Sequence, residues 1–135
     1  MARRSREERA SALRQEIHRL ETERAAVLRT ILELRHLFAA SLSTVYRTCG
    51  KPNCACARGE RHGPYHFLSV QSGGRNDRYH LSSREAERAA PAIERYRLFV
   101  RSLQRLRELD RQIETLARRL KSLCETRSVR SFRTS

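Results

Sequence analysis

Apolar residues recur at the spacing of an amphipathic helix over the first third of the chain. The intervals between them are three, four or seven residues, and this heptad-like pattern predicts one long helix over about residues 5–40. Ser5 and Glu8 have the spacing of a capping box, which favours a helix start at that point. A narrow apolar stripe needs a partner helix to cover it. The stripe residues are Leu13, Ile17, Leu20, Val27, Ile31, Leu34 and Phe38.

A second apolar stripe runs through the last part of the chain. Ser82 and Glu85 repeat the capping-box spacing, so we expect a helix to begin there. Pro91 lacks a backbone donor and clashes with the preceding turn, which predicts a short helix to about Ala89 and a long helix from Pro91 to about Cys124. The stripe residues are Tyr96, Phe99, Leu103, Leu106, Leu109, Ile113, Leu116, Leu120 and Leu123.

Between the two stripes the pattern becomes that of β-strands. Residues 43–48 are rich in β-prone residues. Residues 65–71 and 77–81 are predicted to pair as a hairpin around the glycine-containing turn at 72–76. A small β region therefore separates the two predicted helices.

The segment that precedes this hairpin, CGKPNCACARGERHGPY at residues 49–65, holds three of the four cysteines of the chain. Its glycines and prolines allow tight turns. Three thiolates and one imidazole complete a tetrahedral structural zinc site, and zinc accepts such soft ligands. We therefore expect a Zn²⁺ ion bound by Cys49, Cys54, Cys56 and His62.

Other interpretations of this segment stay open. The Cys-x-Cys step is less usual in zinc sites than Cys-x₂-Cys, and three further residues are alternative fourth ligands: His66, His80 and Cys124. A redox dithiol is the weaker hypothesis, because no helix N-terminus flanks the segment to lower a thiol pKa. No arrangement typical of a catalytic site is recognisable, so we expect no enzyme activity and no catalytic residues.

Together these patterns predict a mainly α fold. Two long antiparallel amphipathic helices form a coiled-coil hairpin that carries a small zinc-bound β-hairpin insert at its tip, and the width of the stripes favours a homodimer. The predicted segments are a long N-terminal helix (1–42), a Cys-rich zinc loop and β-hairpin (43–82), a kinked long C-terminal helix (83–125) and a flexible basic tail (126–135).

The charge of the chain adds a candidate partner. There are 29 Lys and Arg against 15 Asp and Glu, a net charge of +14, which favours binding to a polyanion such as nucleic acid. Aromatic residues are interleaved with the basic residues around the Cys-rich segment and can stack on bases, or they can form a small core under the hairpin. We expect nucleic acid, DNA more than RNA, to contact Arg47, Lys51, Arg58, Arg61, Arg75 and Arg78.

Targeting signals are not recognisable in the sequence. No run of 18 apolar residues predicts a membrane span, and the charged N-terminal segment lacks the apolar stretch of a secretory signal. We therefore expect a cytoplasmic protein, in which thiols stay reduced.

The Cys-rich segment also resembles the signature of a family. Residues 46–56 are YRTCGKPNCAC, and Gly59 and residues 62–65 (HGPY) continue the pattern. This resembles small uncharacterised bacterial and archaeal proteins with the signature YRxCGKPxCxCxxGxxHGPY, which are found with transposases and other mobile elements. The resemblance covers about residues 43–109, and it implies contact with DNA or a transposase. It also implies metal-binding positions at Cys49, Cys54, Cys56 and His62.

One hypothesis accounts for most of these features: a non-enzymatic, zinc-stabilised DNA-binding protein that is accessory to a transposase or another mobile element. The alternative is a coiled-coil interaction subunit whose helices dock on a larger protein. A repressor-type regulator is less favoured, because no recognition helix is apparent.

Overall fold

The computed structural model describes residues 3–135, so residues 1 and 2 of the predicted N-terminal segment lie outside the described residues. The elements follow one another as α1 (Arg6–Glu33), β1 (Ser41–Arg47), a 3₁₀ helix (Ala55–Arg58), β2 (His62–Ser72), β3 (Arg75–Leu81), α2 (Ser83–Cys124) and α3 (Val129–Arg133). The chain divides into two units. Residues 3–33 and 101–135 are called the helical unit here, and residues 34–100 the sheet unit.

The start of α1 is the predicted capping box. The backbone N–H of Glu8 donates to Ser5 Oγ at 3.1 Å, and the N–H of Ser5 donates to Glu8 Oε2 at 2.7 Å. The helix ends at Glu33, earlier than the apolar pattern predicts. The backbone of His36 takes a positive φ of 55°, a left-handed conformation that no helix continues through.

In the helical unit, α1 and residues 101–124 of α2 pack against each other in opposite directions. Arg6, in the first turn of α1, donates to the backbone carbonyl of Leu123, whereas Glu23 accepts from Arg105 Nε at 2.8 Å. The two predicted stripes meet between these contacts and supply most of the core, and Ala10 of α1 adds to it. Its buried apolar residues are Ala10, Leu13, Leu20 and Leu109.

The prediction of a mainly α fold with a small hairpin insert is wrong. The structure has a three-stranded antiparallel sheet in the order β1–β2–β3, and the fold is mixed α/β. Leu42 of β1 lies opposite Leu68 of β2, which lies opposite Tyr79 of β3. The β2–β3 hairpin is confirmed. The β-prone segment before the Cys-rich loop forms β1, which pairs with β2 as a third strand although the Cys-rich loop separates the two in sequence. Sequence periodicity does not reveal such a long-range pairing.

One face of the sheet, called the covered face here, packs towards α2 within the sheet unit. Leu68 is 7% exposed, and His66, on the same face, has its Nε2 3.3 Å from Ser83 Oγ in the first turn of α2. Ala86 and Ile93 of α2 are 4% and 2% exposed. Leu68, Ala86 and Ile93 form the apolar core between the sheet and α2.

The opposite face of the sheet, called the open face here, is solvent-accessible. Side chains alternate between the two faces along a strand, so Tyr65 and Phe67 of β2 lie on the face away from Leu68. Phe67 is opposite His80 in the register of β2 and β3, which places His80 and Arg78 on the open face as well. Tyr65, Arg78 and His80 are exposed.

Helix α2 is one continuous helix that contains Pro91, instead of the short and long helices predicted on either side of it. Proline removes the hydrogen bond to the carbonyl one turn earlier, that of Glu87. Both residues are exposed, so water can satisfy that carbonyl. On the side of the helix away from Pro91, the buried side chains of Ala86 and Ile93 pack in the core of the sheet unit and stabilise the helix.

The last element is the short helix α3, within the segment for which the sequence predicts a flexible tail. Ser128 Oγ accepts from the N–H of Ser131 at 3.4 Å and caps its start. Val129 and Phe132 on this helix are 67% and 72% exposed. Within residues 3–135, no helix combines the length and the apolar character that crossing a membrane requires.

Candidate metal centre

The Cys-rich segment folds as a loop between two paired strand ends. Arg47, the last residue of β1, lies opposite His62, the first residue of β2. Cys49 follows β1 closely, and the loop then returns through the 3₁₀ helix Ala55–Arg58. Positive φ angles at two glycines allow the turns, and Gly59, at φ 105°, ends the 3₁₀ helix by donating to Cys56 O at 3.3 Å.

The fold brings the four predicted metal ligands together. The Sγ atoms of Cys49 and Cys56 are 3.3 Å apart, and Cys54 Sγ is 3.2 Å from His62 Nε2. All four donor atoms lie within 4.8 Å of one another. A tetrahedral site with metal–sulfur bonds near 2.3 Å has sulfur–sulfur edges of about 3.8 Å. These residues, called the metal centre here, therefore lie close enough to hold one metal ion.

The alternative fourth ligands have other partners. His66 Nδ1 is 3.1 Å from Thr44 Oγ1 on the covered face, and His80 packs edge-on against Phe67 with ring centroids 5.4 Å apart. Cys124 belongs to the helical unit, where a side-chain nitrogen of Arg14 lies 3.5 Å from its Sγ. Among the described residues, none of these three joins the metal centre.

The loop backbone changes the acidity of the thiols. The N–H of Lys51, with help from the side chains of Cys56, His62 and Cys54, lowers the pKa of Cys49 to about 6. The N–H of Cys49 acts to lower the pKa of Cys56, but burial and the sulfurs of Cys49 and Cys54 outweigh it, and the pKa is raised. The site thus favours a thiolate at Cys49, the form of cysteine that binds metal.

Burial places Cys56 at the bottom of the metal centre. Cys56 is 3% exposed, Cys54 and His62 are half-buried, and Cys49 is exposed. The donor set of three soft sulfurs and one imidazole suits a transition metal such as zinc and not a hard cation such as magnesium. Four protein ligands also complete a tetrahedron.

The six predicted nucleic-acid contacts are all exposed in the sheet unit. Among the described residues, Arg75 lies 3.6 Å from Asp77, and the other five make no ion pair. In the helical unit some arginines are paired, as Arg24 is with Asp110 at 2.6 Å, and others are not. Of the six predicted contacts, those that are exposed and make no ion pair among the described residues are Arg47 at the end of β1, Lys51, Arg58 and Arg61 in the loop, and Arg78 on β3.

The open face adds a cluster of arginine and aromatic side chains beside the loop. The guanidinium carbon of Arg78 lies 3.9 Å from the centre of the Phe67 ring, and that of Arg47 lies 5.3 Å from it. His80 lies between Phe67 and Tyr65. The sequence analysis missed the part of His80 in this cluster, which only the register of β2 and β3 reveals.

A cleft of about 360 Å³ connects the open face with the metal centre. Tyr65, Phe67 and His80 line it from the sheet, and Cys49 and His62 line it from the loop. Two ligands of the metal centre therefore form one wall of a cavity whose other wall is aromatic.

Fold and site define a small mixed α/β protein with a candidate metal centre of three cysteines and one histidine beside an exposed basic and aromatic surface. The chain belongs to the family described as Domain of unknown function (DUF6788), which matches residues 10–90. The match covers most of α1, the sheet and the first turns of α2. No curated protein and no solved structure matches the chain. The link with mobile elements stays a prediction from the sequence signature.

Proposed function

We propose that this protein is a non-enzymatic nucleic-acid-binding protein, stabilised by one Zn²⁺ ion, that binds DNA. The observation that carries the proposal is the group of exposed cations around the metal centre, five of which make no ion pair among the described residues. A cation without a carboxylate partner can neutralise a phosphate, and the release of counterions from the nucleic acid then drives binding.

Zinc has a structural role in this proposal. The four ligands fill a tetrahedron and leave no coordination position for water or a substrate. In the loop, Cys56 is the buried residue of the 3₁₀ helix, so apolar packing contributes little to its folding. Zinc binding in small structural sites contributes about 10–16 kcal/mol, which exceeds what such packing supplies.

Zinc also fixes the positions of the cations. Arg58 ends the 3₁₀ helix that contains Cys56, and Arg61 directly precedes His62. Lys51 lies two residues after Cys49, and its backbone N–H lowers the pKa of that thiol. Since each cation lies within two residues of a ligand, the bound ion orders the backbone that presents them to phosphate.

Fluorescence anisotropy with labelled duplex and single-stranded DNA at increasing salt tests this proposal. If four of the cations each neutralise one phosphate, affinity falls about 100-fold between roughly 50 and 200 mM salt, because each contact adds about 0.9 to the slope. The double variant Arg58→Glu, Arg61→Glu should bind more weakly and reduce that slope by about 2.

The control is the double variant Arg111→Glu, Arg119→Glu. Both arginines are exposed in the helical unit, neither makes an ion pair among the described residues, and the change in net charge is the same. We expect this control to bind DNA nearly as well as the unchanged protein. Absence of binding to both duplex and single strands at about 50 mM salt rejects the proposal.

The proposed role as an accessory of a transposase or another mobile element is supported by the sequence signature alone. Its test is whether the purified protein forms a complex with a transposase encoded beside it. The proposed homodimer is tested by native mass spectrometry, in which a monomer at micromolar concentration would contradict it.

A second candidate function is a helical interaction subunit that docks on a larger protein. Two apolar clefts on the helical unit favour it: one of about 480 Å³ lined by Leu13, Leu116 and Leu123, and one of about 430 Å³ lined by Leu20 and Leu116. If this candidate is right, the Arg58→Glu, Arg61→Glu variant keeps its partner, and the unchanged protein does not bind DNA.

A further inference from the structure

The open face of the sheet carries planar groups that lie against one another. Arg78 lies 3.9 Å from the centre of the Phe67 ring, a distance at which a guanidinium plane stacks on an aromatic face. Arg47 lies 5.3 Å from the same ring. Phe67 therefore contacts the guanidinium groups of two arginines, and both arginines are exposed.

Tyr65 offers an aromatic surface that these arginines do not cover. It is 36% exposed, and its ring centre is 6.3 Å from that of His80 in a tilted arrangement. Both rings line the cleft of about 360 Å³ beside the metal centre. This volume lies at the lower end of the range for small-ligand sites, about 300–1,000 Å³, and suits a flat ring system.

Paired and unpaired nucleic acids differ in what they can present to such a cleft. In a double helix the bases stack on one another, so their faces are not available to a protein side chain. Unpaired bases can stack on aromatic rings and on guanidinium planes. Lys51 and Arg61 each lie within two residues of Cys49 or His62, which line the cleft, and can hold the backbone on either side of a stacked base.

We infer that the open face binds single-stranded nucleic acid, with an unpaired base stacked among Tyr65, His80 and the guanidinium of Arg47 in the cleft beside the metal centre. The inference rests on the proposed function and names its substrate class. Phosphates on either side of that base contact Arg61 and Lys51. The loop that forms the metal centre lines the cleft through Cys49 and His62 and also carries Lys51 and Arg61. Binding of the base and of the phosphates therefore requires that this loop be folded.

Four fluorescent probes of about 12 nucleotides separate stacking from charge. They are oligo(dT), oligo(rU), a strand of the same length whose sugars carry no bases, and a DNA duplex. The unchanged zinc-loaded protein should bind oligo(dT) or oligo(rU) more tightly than the duplex, and the base-free strand more weakly than either oligomer. The ratio of the two oligomers shows whether the natural ligand is DNA or RNA.

Variants of two tyrosines locate the stacking site. Tyr65→Ala should weaken binding of the better oligomer about 5- to 150-fold, the range for losing one base–aromatic stack, whereas Tyr65→Phe keeps the ring and should restore binding. Tyr79→Ala is the matched control: Tyr79 is 51% exposed but lies opposite Leu68 in the strand register, on the other face. It should bind as the unchanged protein does.

The results distinguish this inference from the proposed function. If the duplex binds as tightly as the single strands, or if the base-free strand binds as tightly as oligo(dT), the inference is wrong and the proposed function stands. Equal losses for Tyr65→Ala and Tyr79→Ala would also overturn the inference. No binding to any of the four probes overturns both.

Discussion

At the scale of single residues, Cys56 is the candidate ligand that would gain most from a bound metal ion. Its side chain is 3% exposed, and a sulfur that ionises there needs compensating contacts. The N–H of Cys49 supplies one of them at 3.3 Å, and a bound cation would supply the rest. Cys54 and His62 contact each other in the same centre, so a bound ion would be shared by all four side chains.

Replacing one ligand tests the residue-level account. Cys54→Ser should abolish the stoichiometric zinc of protein purified without added metal, because a serine hydroxyl does not replace a thiolate as a zinc ligand. Helicity should change little, since the core of the helical unit contains none of the ligands. Elemental analysis and far-ultraviolet circular dichroism measure the two properties.

Cys124→Ser is the control for this variant. Cys124 is an exposed cysteine of the helical unit and should be replaceable without loss of zinc. Full zinc content in Cys54→Ser, or equal loss in both variants, would contradict the assignment of the ligands.

The grouping of the four candidate ligands was predictable from the sequence, and the aromatic cluster was only partly so. Cys49, Cys54, Cys56 and His62 lie close in sequence, so their spacing already limits how far apart they can be. His80 lies on a different strand, and its contact with Phe67 follows from the strand register. The acidity of Cys49 comes from the N–H of Lys51, a backbone contact that composition does not encode.

At the scale of elements, the pairing of β1 with β2 supports the metal centre. Gly63, directly after His62, has a φ of 138°, and a Cβ built on it would lie 2.9 Å from Val45 O of β1. A glycine at this position allows the close approach of the two strands that holds Cys49 near His62.

Gly63→Ala should therefore weaken both the fold and the metal centre. The positive φ and the contact with a backbone oxygen should cost about 1–3 kcal/mol, and the resulting shift at His62 should lower zinc affinity. Thermal unfolding and competition with a chromophoric chelator measure the two effects.

Gly74→Ala is the control that separates the effect of backbone strain from the effect of the close contact with β1. Gly74 has a positive φ of 80°, and a Cβ there would meet nothing within 4 Å. This variant should lose some stability and keep its zinc affinity. If Gly63→Ala binds zinc as tightly as Gly74→Ala does, the strand pairing does not support the metal centre.

Helix starts were easier to predict than helix ends or strand partners. Both capping boxes form as the sequence indicates, the second through Ser82 Oγ, which accepts from the N–H of Glu85 at 3.1 Å. The end of α1 depends on the left-handed backbone of His36, which no periodicity shows. Helix α2 continues through Pro91 because tertiary packing outweighs local propensity there.

At the scale of the whole molecule, the net charge of +14 is not equally available to a ligand. In the helical unit some arginines pair with carboxylates, as in the contact of Arg105 with Glu23, and others, such as Arg111 and Arg119, are exposed and make no ion pair among the described residues. Between β1 and β3 the carboxylates are few, Glu60 and Asp77, and only Asp77 makes an ion pair among the described residues. Composition predicts the total charge, whereas the structure shows that the cations around the metal centre have few carboxylates near them in the sheet.

Native mass spectrometry of the protein mixed with a DNA strand of about 12 nucleotides tests the central claim most directly, because one spectrum reports metal, protein and DNA together. We predict that every DNA-bound protein chain carries one zinc ion and that chains stripped by a chelator leave the bound population until zinc is restored. DNA bound equally by zinc-free and zinc-loaded chains would contradict the account.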